Sequence, residues 1–301
     1  MSELSPFLEA AVRTATPLLL AAIGETVSQR AGVLNLGLEG CIIAGAYAAY
    51  VASGAPVAGY AAAVGGGLLL GLTFVLFVVF LRRDQVIVGA ALTMLGLGLT
   101  GTLFRAQGQT GALVATAEPA LHVPVLSSIP VVGQALFAQP ASTYLAVLLV
   151  PVVWWWLYRT HHGLALRAVG ESPDAAHAAG IRVRRVQVVA ALFSAALGGL
   201  AGGALVLAQA GAFAEDMSAG RGFLAIAIVA LGRWRPLGVA LAAAVFGSAM
   251  ALQFVVQALG WGVRYELVLM IPYVLTLLAL VLFGRGSAPA MLGRAPENAS
   301  S

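Results

Sequence analysis

Apolar residues run along this chain in long blocks broken by glycine, proline and small clusters of charge, without the strict alternation of a half-buried strand. Nine blocks separate, at 8–24, 34–53, 57–81, 86–104, 141–158, 187–209, 222–232, 237–259 and 266–283. An α-helix needs about 20 apolar residues to cross a hydrocarbon core roughly 30 Å thick, and most blocks approach that length. The pattern predicts an all-α polytopic membrane protein with about nine (8–10) transmembrane or broken helices. Two blocks depart from a tidy bundle. The run at 222–232 is too short to span alone, and the first block is interrupted by Pro17 and by Gly24-Glu25.

Composition turns this pattern into a class. Of 301 residues 60% are hydrophobic and 9% charged, whereas a soluble domain carries about 25% charged residues. The expected organisation is a single membrane domain over 1–286 and a disordered cytoplasmic tail over 287–301. The 16 basic side chains are all arginine, and the lack of lysine excludes both a phosphate-binding loop of the G-x-x-x-x-G-K type and a Schiff-base site. Twelve arginines (30, 82, 83, 159, 167, 182, 184, 185, 233, 235, 285 and 294) fall on one side of the predicted spans, and Arg13, Arg105, Arg221 and Arg264 on the other. By the positive-inside rule the first side and the carboxyl terminus are cytoplasmic, and nine spans put the amino terminus outside. The net charge of +4 is thereby assigned to cytoplasmic loops, not to nucleic acid. Residues 1–13 show no cleavable signal pattern. The loop 105–140, with four prolines and Glu118 as its single acid, is expected to cap the extracytoplasmic face. Cys41 stands alone in an apolar run, so neither a disulfide nor a metal site is expected.

Small residues recur at four-residue spacing at Gly67 and Gly71, Gly198 and Gly202, and Gly199 and Gly203, which predicts close helix packing in lipid. Polar residues inside apolar spans are costly, and they mark either interhelical hydrogen bonds or a solute path. Asn35 and Glu39 share a helix face, as do Gln253 and Gln257. With Thr93, Gln209, Phe213 and Phe223 they provide the donors, acceptors and aromatic faces that a neutral polyhydroxylated solute needs. Glu25, between Gly24 and Arg30, is expected near the cytoplasmic interface with a local partner. Trp154 to Trp156, running into Tyr158-Arg159, read as an interfacial aromatic belt. No hydrolytic constellation lies within the spans.

The one long hydrophilic stretch on the arginine-rich side is the cytoplasmic segment 159–186. Within it Ser172 suits an N-cap, Pro173 the first helical position and Asp174 the positive end of a helix dipole, while Gly180 suits a left-handed stop. A short helix over 173–179 follows, with Leu164, Leu166 and Val169 expected to hold the preceding loop against the membrane domain. These residues fit either an ordinary connecting loop or a coupling helix that receives mechanical work from an ATPase below.

The run Gly163-Leu-Ala-Leu166-Arg167-Ala-Val-Gly170-Glu171-Ser172-Pro173-Asp174-Ala175-Ala176-His-Ala-Ala-Gly180-Ile181 resembles the cytoplasmic coupling motif of permease subunits of bacterial ABC importers for simple sugars and nucleosides, the ribose-permease-like family. Arg30-Ala-Gly32-Val-Leu-Asn35-Leu-Gly37-Leu-Glu39-Gly40 is similar to a signature of its nucleoside branch, and Gln85-Val-Ile-Val-Gly89-Ala-Ala-Leu-Thr93 to a third block. Many relatives carry Asn near the start of the short helix, where this chain has Glu171-Ser172-Pro173. The resemblance implies a non-catalytic transmembrane permease subunit of the bacterial inner membrane, forming half of the path for nucleosides or related simple sugars. It implies a second, different and longer permease chain, a cytoplasmic ATPase holding the ATP and magnesium, and an extracytoplasmic substrate-binding lipoprotein. The competing reading is an ion-coupled secondary transporter of a small polar solute, disfavoured by the scarcity of ionisable residues within the spans.

Overall fold

The structure is a computed structural model that describes residues 4–107, 116–122, 132–258, 270–271, 274–275, 277 and 288–293. Helix α1 (Leu4–Arg30) is followed by α2 (Leu38–Val51), α3 (Pro56–Val75, continued by a π-helical turn to Phe80) and α4 (Gln85–Ala106). A short strand β1 (Ala120–His122), α5 (Val132–Phe137) and strand β2 (Ala138–Pro140) lead into α6 (Ala141–Arg159). Then come α7 (His161–Glu171), α8 (Pro173–Ala178), α9 (Val183–Ala204, with a π-helical extension to Ala210), α10 (Arg221–Leu231) and α11 (Pro236–Ala258).

Six of these helices are long and apolar enough to cross a membrane. Helices α2 and α10, corresponding to the blocks at 34–53 and 222–232, are shorter, and most of the ninth block lies outside the described residues. Among the described residues there are six candidate spans and two short apolar helices, which do not confirm the count of about nine transmembrane or broken helices. The first block was expected to be interrupted, yet α1 is one 27-residue helix that contains Pro17.

Helix α1 is the hub, packed against α11, α9, α10 and α6, and its central residues Leu18 to Ile23 are almost completely buried. The Thr14 hydroxyl ties it to α11 by donating to the Gly247 carbonyl at 2.7 Å. Helix α9 is wedged between α2 and α3, and its glycines divide between these neighbours. A Cβ at Gly202 would lie 1.9 Å from the Ile42 carbonyl oxygen of α2, and one at Gly199 would lie 2.2 Å from the Ala63 oxygen of α3. The four-residue glycine spacing thus produces two backbone-to-backbone contacts, as small-residue packing in lipid requires.

The carboxyl ends of α1, α6 and α10 and the amino ends of α9 and α11 meet at one end of the molecule with α7 and α8. Of the arginines assigned to the cytoplasm, Arg30, Arg159, Arg167, Arg182, Arg184, Arg185, Arg233 and Arg235 lie at these helix ends. At the opposite end, Glu118 accepts from the Tyr60 hydroxyl (2.6 Å) and from the backbone and hydroxyl of Ser142, fastening the 105–140 loop to α3 and α6. Strands β1 and β2 pair antiparallel there, with Leu121 opposite Gln139. Residue 4 lies at the end of α1 away from Arg30, whereas Met291 of residues 288–293 is bonded to α7.

Candidate functional site

The arginine-rich end is built from α7 and α8. The Thr160 hydroxyl caps α7 by accepting from the Gly163 amide at 3.1 Å, and Ser172 caps α8 by accepting from the Ala175 amide at 3.4 Å. Pro173 occupies the first turn of α8, which ends at Ala178, one residue before the expected limit, and Gly180 follows with φ +81°. The segment before α8 was expected to be a loop, and it is a helix. Its inner face seats Gly163, Leu166, Val169 and Gly170, whereas Leu164, expected to help hold it, points outward and is exposed.

Both glycines of α7 abut main chain. A Cβ at Gly163 would fall 2.3 Å from the Trp156 oxygen, and one at Gly170 would fall 2.1 Å from the Arg30 oxygen. Arg167 sits over the Tyr158 ring, 5.0 Å from its centre, and the Tyr158 hydroxyl accepts from Arg30 Nη2. Along α8, Asp174, Ala175, His177 and Ala178 are exposed and Ala176 alone is buried, so one methyl group seats this helix on the domain. Glu171, Ser172 and Gly180 are also exposed, and Ile181 is half-buried. Six residues of the tail expected to be disordered, 288–293, are placed against this end: the Met291 amide donates to the Gly170 carbonyl at 3.1 Å, supplying a partner to one of the carbonyls that a helix terminus leaves open.

Above α7 lies a buried polar network centred on Glu25, whose local partner is Gln29. Glu25 is fully buried and accepts from Gln29 Nε2 (3.0 Å), the Ser194 hydroxyl (2.7 Å) and the Asn35 backbone amide (3.1 Å). Trp234 Nε1 donates to Gln29 Oε1 at 2.7 Å, and Arg30 Nε donates to the Trp234 carbonyl at 2.9 Å. Hydrogen bonding and ring contact thus run from Arg167 through Tyr158, Arg30, Trp234 and Gln29 to Glu25.

The third feature is a helix break in the middle of the membrane. From Gln85, at the arginine-rich end, to Thr93 the rise is about 12 Å at about 1.5 Å per residue. Thr93 meets the start of α2, donating to the Leu36 carbonyl at 3.1 Å. Helix α10 rises from the same end for 11 residues, about 16 Å, so its amino terminus reaches a similar depth. There the Glu39 carboxylate accepts from the Gly220 amide at 2.8 Å and from the Gly222 amide. Glu39 lies in the first turn of α2 and caps α10, so one carboxylate compensates the positive ends of two half-helices. Gly222 permits the approach, since a Cβ there would lie 2.5 Å from the Glu39 backbone nitrogen. Asn35 is fully buried, and neither polar atom of its side chain has a hydrogen-bond partner among the described residues.

The other path candidates separate. Gln209 donates to the Arg13 carbonyl and ties α9 to α1. Phe213 is buried in an aromatic cluster with Tyr47, Tyr50 and Phe104, at ring separations of 5.1 to 5.9 Å. Phe223 is exposed, Gln253 is half-buried, and the Gln257 side chain lies outside the described residues. Arg221, assigned by sequence to an outer loop, instead stands at the mid-membrane start of α10 with its guanidinium on the Met217 and Ser218 carbonyls.

Residues 7–280 match the family described as branched-chain amino acid transport system / permease component. The chain belongs to that family of membrane permeases. It is 35% identical to the guanosine ABC transporter permease protein NupQ of Bacillus subtilis, over 96% of each chain. It is 38% identical to the putative glucose ABC transporter permease protein TsgC13 of Haloferax volcanii, over 86% of this chain and 80% of the relative. It is 32% identical to the nucleoside ABC transporter permease protein NupC of Lactococcus lactis, over 91% of each. It is thus a multi-pass membrane protein of a transport system, and the α7–α8 corner and the mid-membrane break are parts of a permease.

Proposed function

We propose that this chain is the permease subunit of an ATP-driven importer of nucleosides or closely related sugars in a bacterial inner membrane. It is non-catalytic, and ATP and magnesium are held by a separate cytoplasmic ATPase. A second permease chain completes the path, and an extracytoplasmic binding lipoprotein delivers the solute. The observation that carries this reading is the α7–α8 corner: α8 offers an exposed face of small side chains while α7 is seated backbone-to-backbone on α1 and α6. A push on α8 is thereby delivered to the ends of two membrane helices. The relatives that carry guanosine, nucleoside and glucose permease names supply the solute class.

Ala176→Trp tests the corner. Its side chain fills the contact that seats α8, and an overpacked site costs about 1–3 kcal/mol, which lifts α8 without unfolding the spans. In the assembled transporter the substitution is expected to retain ATP hydrolysis and to lower guanosine uptake at least tenfold. Uptake at the unmodified rate would remove the coupling role from this segment.

A further inference from the structure

Between the outer end of α9 and the mid-membrane start of α10 the chain descends through residues 211–220 without regular helix. Its upper part is fixed beside α4 by an ion pair between Arg105 and Glu215 at 3.0 Å, and its lower part ends on Glu39. The backbone takes left-handed angles at Gly211, Asp216, Ala219 and Gly220. Ala214, Glu215 and Asp216, level with the outer end of α4, are exposed, and deeper in the membrane so are Ala219 and, on the first turn of α10, Phe223 at 48%. Irregular backbone with ionised side chains is not tolerated against lipid tails, because its polar groups would be left without partners. At membrane depth such a segment faces water or protein.

We propose that residues 214–223 form a wall of the translocation path in the outer half of the membrane, with Phe223 at its inner limit. The proposal rests on the permease reading. The wall also has a charge character. Its ionisable groups are Arg105, Glu215, Asp216 and Arg221, two of each sign, and the Glu39 carboxylate at its inner end is compensated by the two helix termini it caps, so the wall carries no strong field of one sign to concentrate either anions or cations. A wall of this kind fits a neutral solute, such as a nucleoside or sugar, and gives no attraction to its phosphorylated form.

Cys41, the only cysteine, is buried. A Cys41→Ala background therefore allows single cysteines to be introduced at Ala219 and Phe223, with controls at Leu69 and Leu241, which are 69% and 72% exposed on regular apolar helices. In the assembled transporter, impermeant methanethiosulfonates added from outside are expected to label Ala219→Cys and Phe223→Cys about tenfold faster than the two controls, which face lipid. A cationic and an anionic reagent are expected to react at rates within about threefold of each other, as a balanced wall requires. Labelling no faster than the controls would overturn the path assignment, and about a tenfold preference for one reagent charge would overturn the neutral wall. Labelling requires no transport, so loss of the nucleoside assignment would leave this result standing.

Discussion

Glu39→Leu is expected to abolish guanosine uptake and to destabilise the chain by about 2–6 kcal/mol, because two buried amides, each costing about 1–3 kcal/mol when unpaired, lose their acceptor. Glu39 itself is buried, so its loss leaves the Gly220 and Gly222 amides without the acceptor they point at, and the positive ends of α2 and α10 lose the charge that compensates them. Glu39→Gln keeps one oxygen acceptor but turns an NH2 donor toward the other amide, and is expected to recover about half of the lost stability. Thermal unfolding of the detergent-solubilised chain, compared across the two variants, checks the first effect, and uptake in the assembled transporter checks the second. A leucine variant as stable as the parent would show that Glu39 does not hold the helix break together.

Gly170→Val is expected to separate ATP hydrolysis from transport more completely than the Ala176 substitution does. Any Cβ at position 170 would lie 2.1 Å from the Arg30 carbonyl oxygen, a main-chain atom that cannot turn aside, so α7 must leave its seat on α1. That displacement also pulls the Gly170 carbonyl from Met291 and Arg167 from the Tyr158 ring. The spans themselves are untouched, so the chain is expected to insert and assemble. Uptake is expected to fall to a few per cent while ATP hydrolysis by the assembled complex persists, at a cost to the isolated chain of about 1–3 kcal/mol from overpacking. Parallel rates of phosphate release and guanosine uptake measure the ratio directly. An unchanged ratio would mean that α7 transmits nothing through this contact.

The boundaries of α8 were legible in the sequence because their signals are local. Ser172-Pro173-Asp174 and Gly180 punctuate a short helix by rules of capping and backbone angle that act within four residues. The pairing of Asn35 with Glu39 was legible as a polar patch in an apolar run, but its geometry was not. Glu39 caps a helix that begins about 180 residues later, and no local pattern encodes that partner. For Glu25 a local partner was legible, and Gln29 is one, whereas Ser194 and, through Gln29, Trp234 reach it across the bundle. Gly170 was legible as part of the 163–181 motif, but its close approach to Arg30 depends on where α7 lands. The exposure of Phe223, in contrast to the burial of Phe213, is likewise a tertiary property.

The central claim is that this chain moves a neutral nucleoside-class solute using energy received from another subunit. Reconstitution in liposomes tests it most directly, with this chain, the second permease and the ATPase in the bilayer, ATP inside with the ATPase, and the binding lipoprotein with labelled guanosine outside. The account predicts accumulation that requires ATP and every component. Accumulation of guanosine by this chain alone, driven by an imposed ion gradient without ATP, would contradict it.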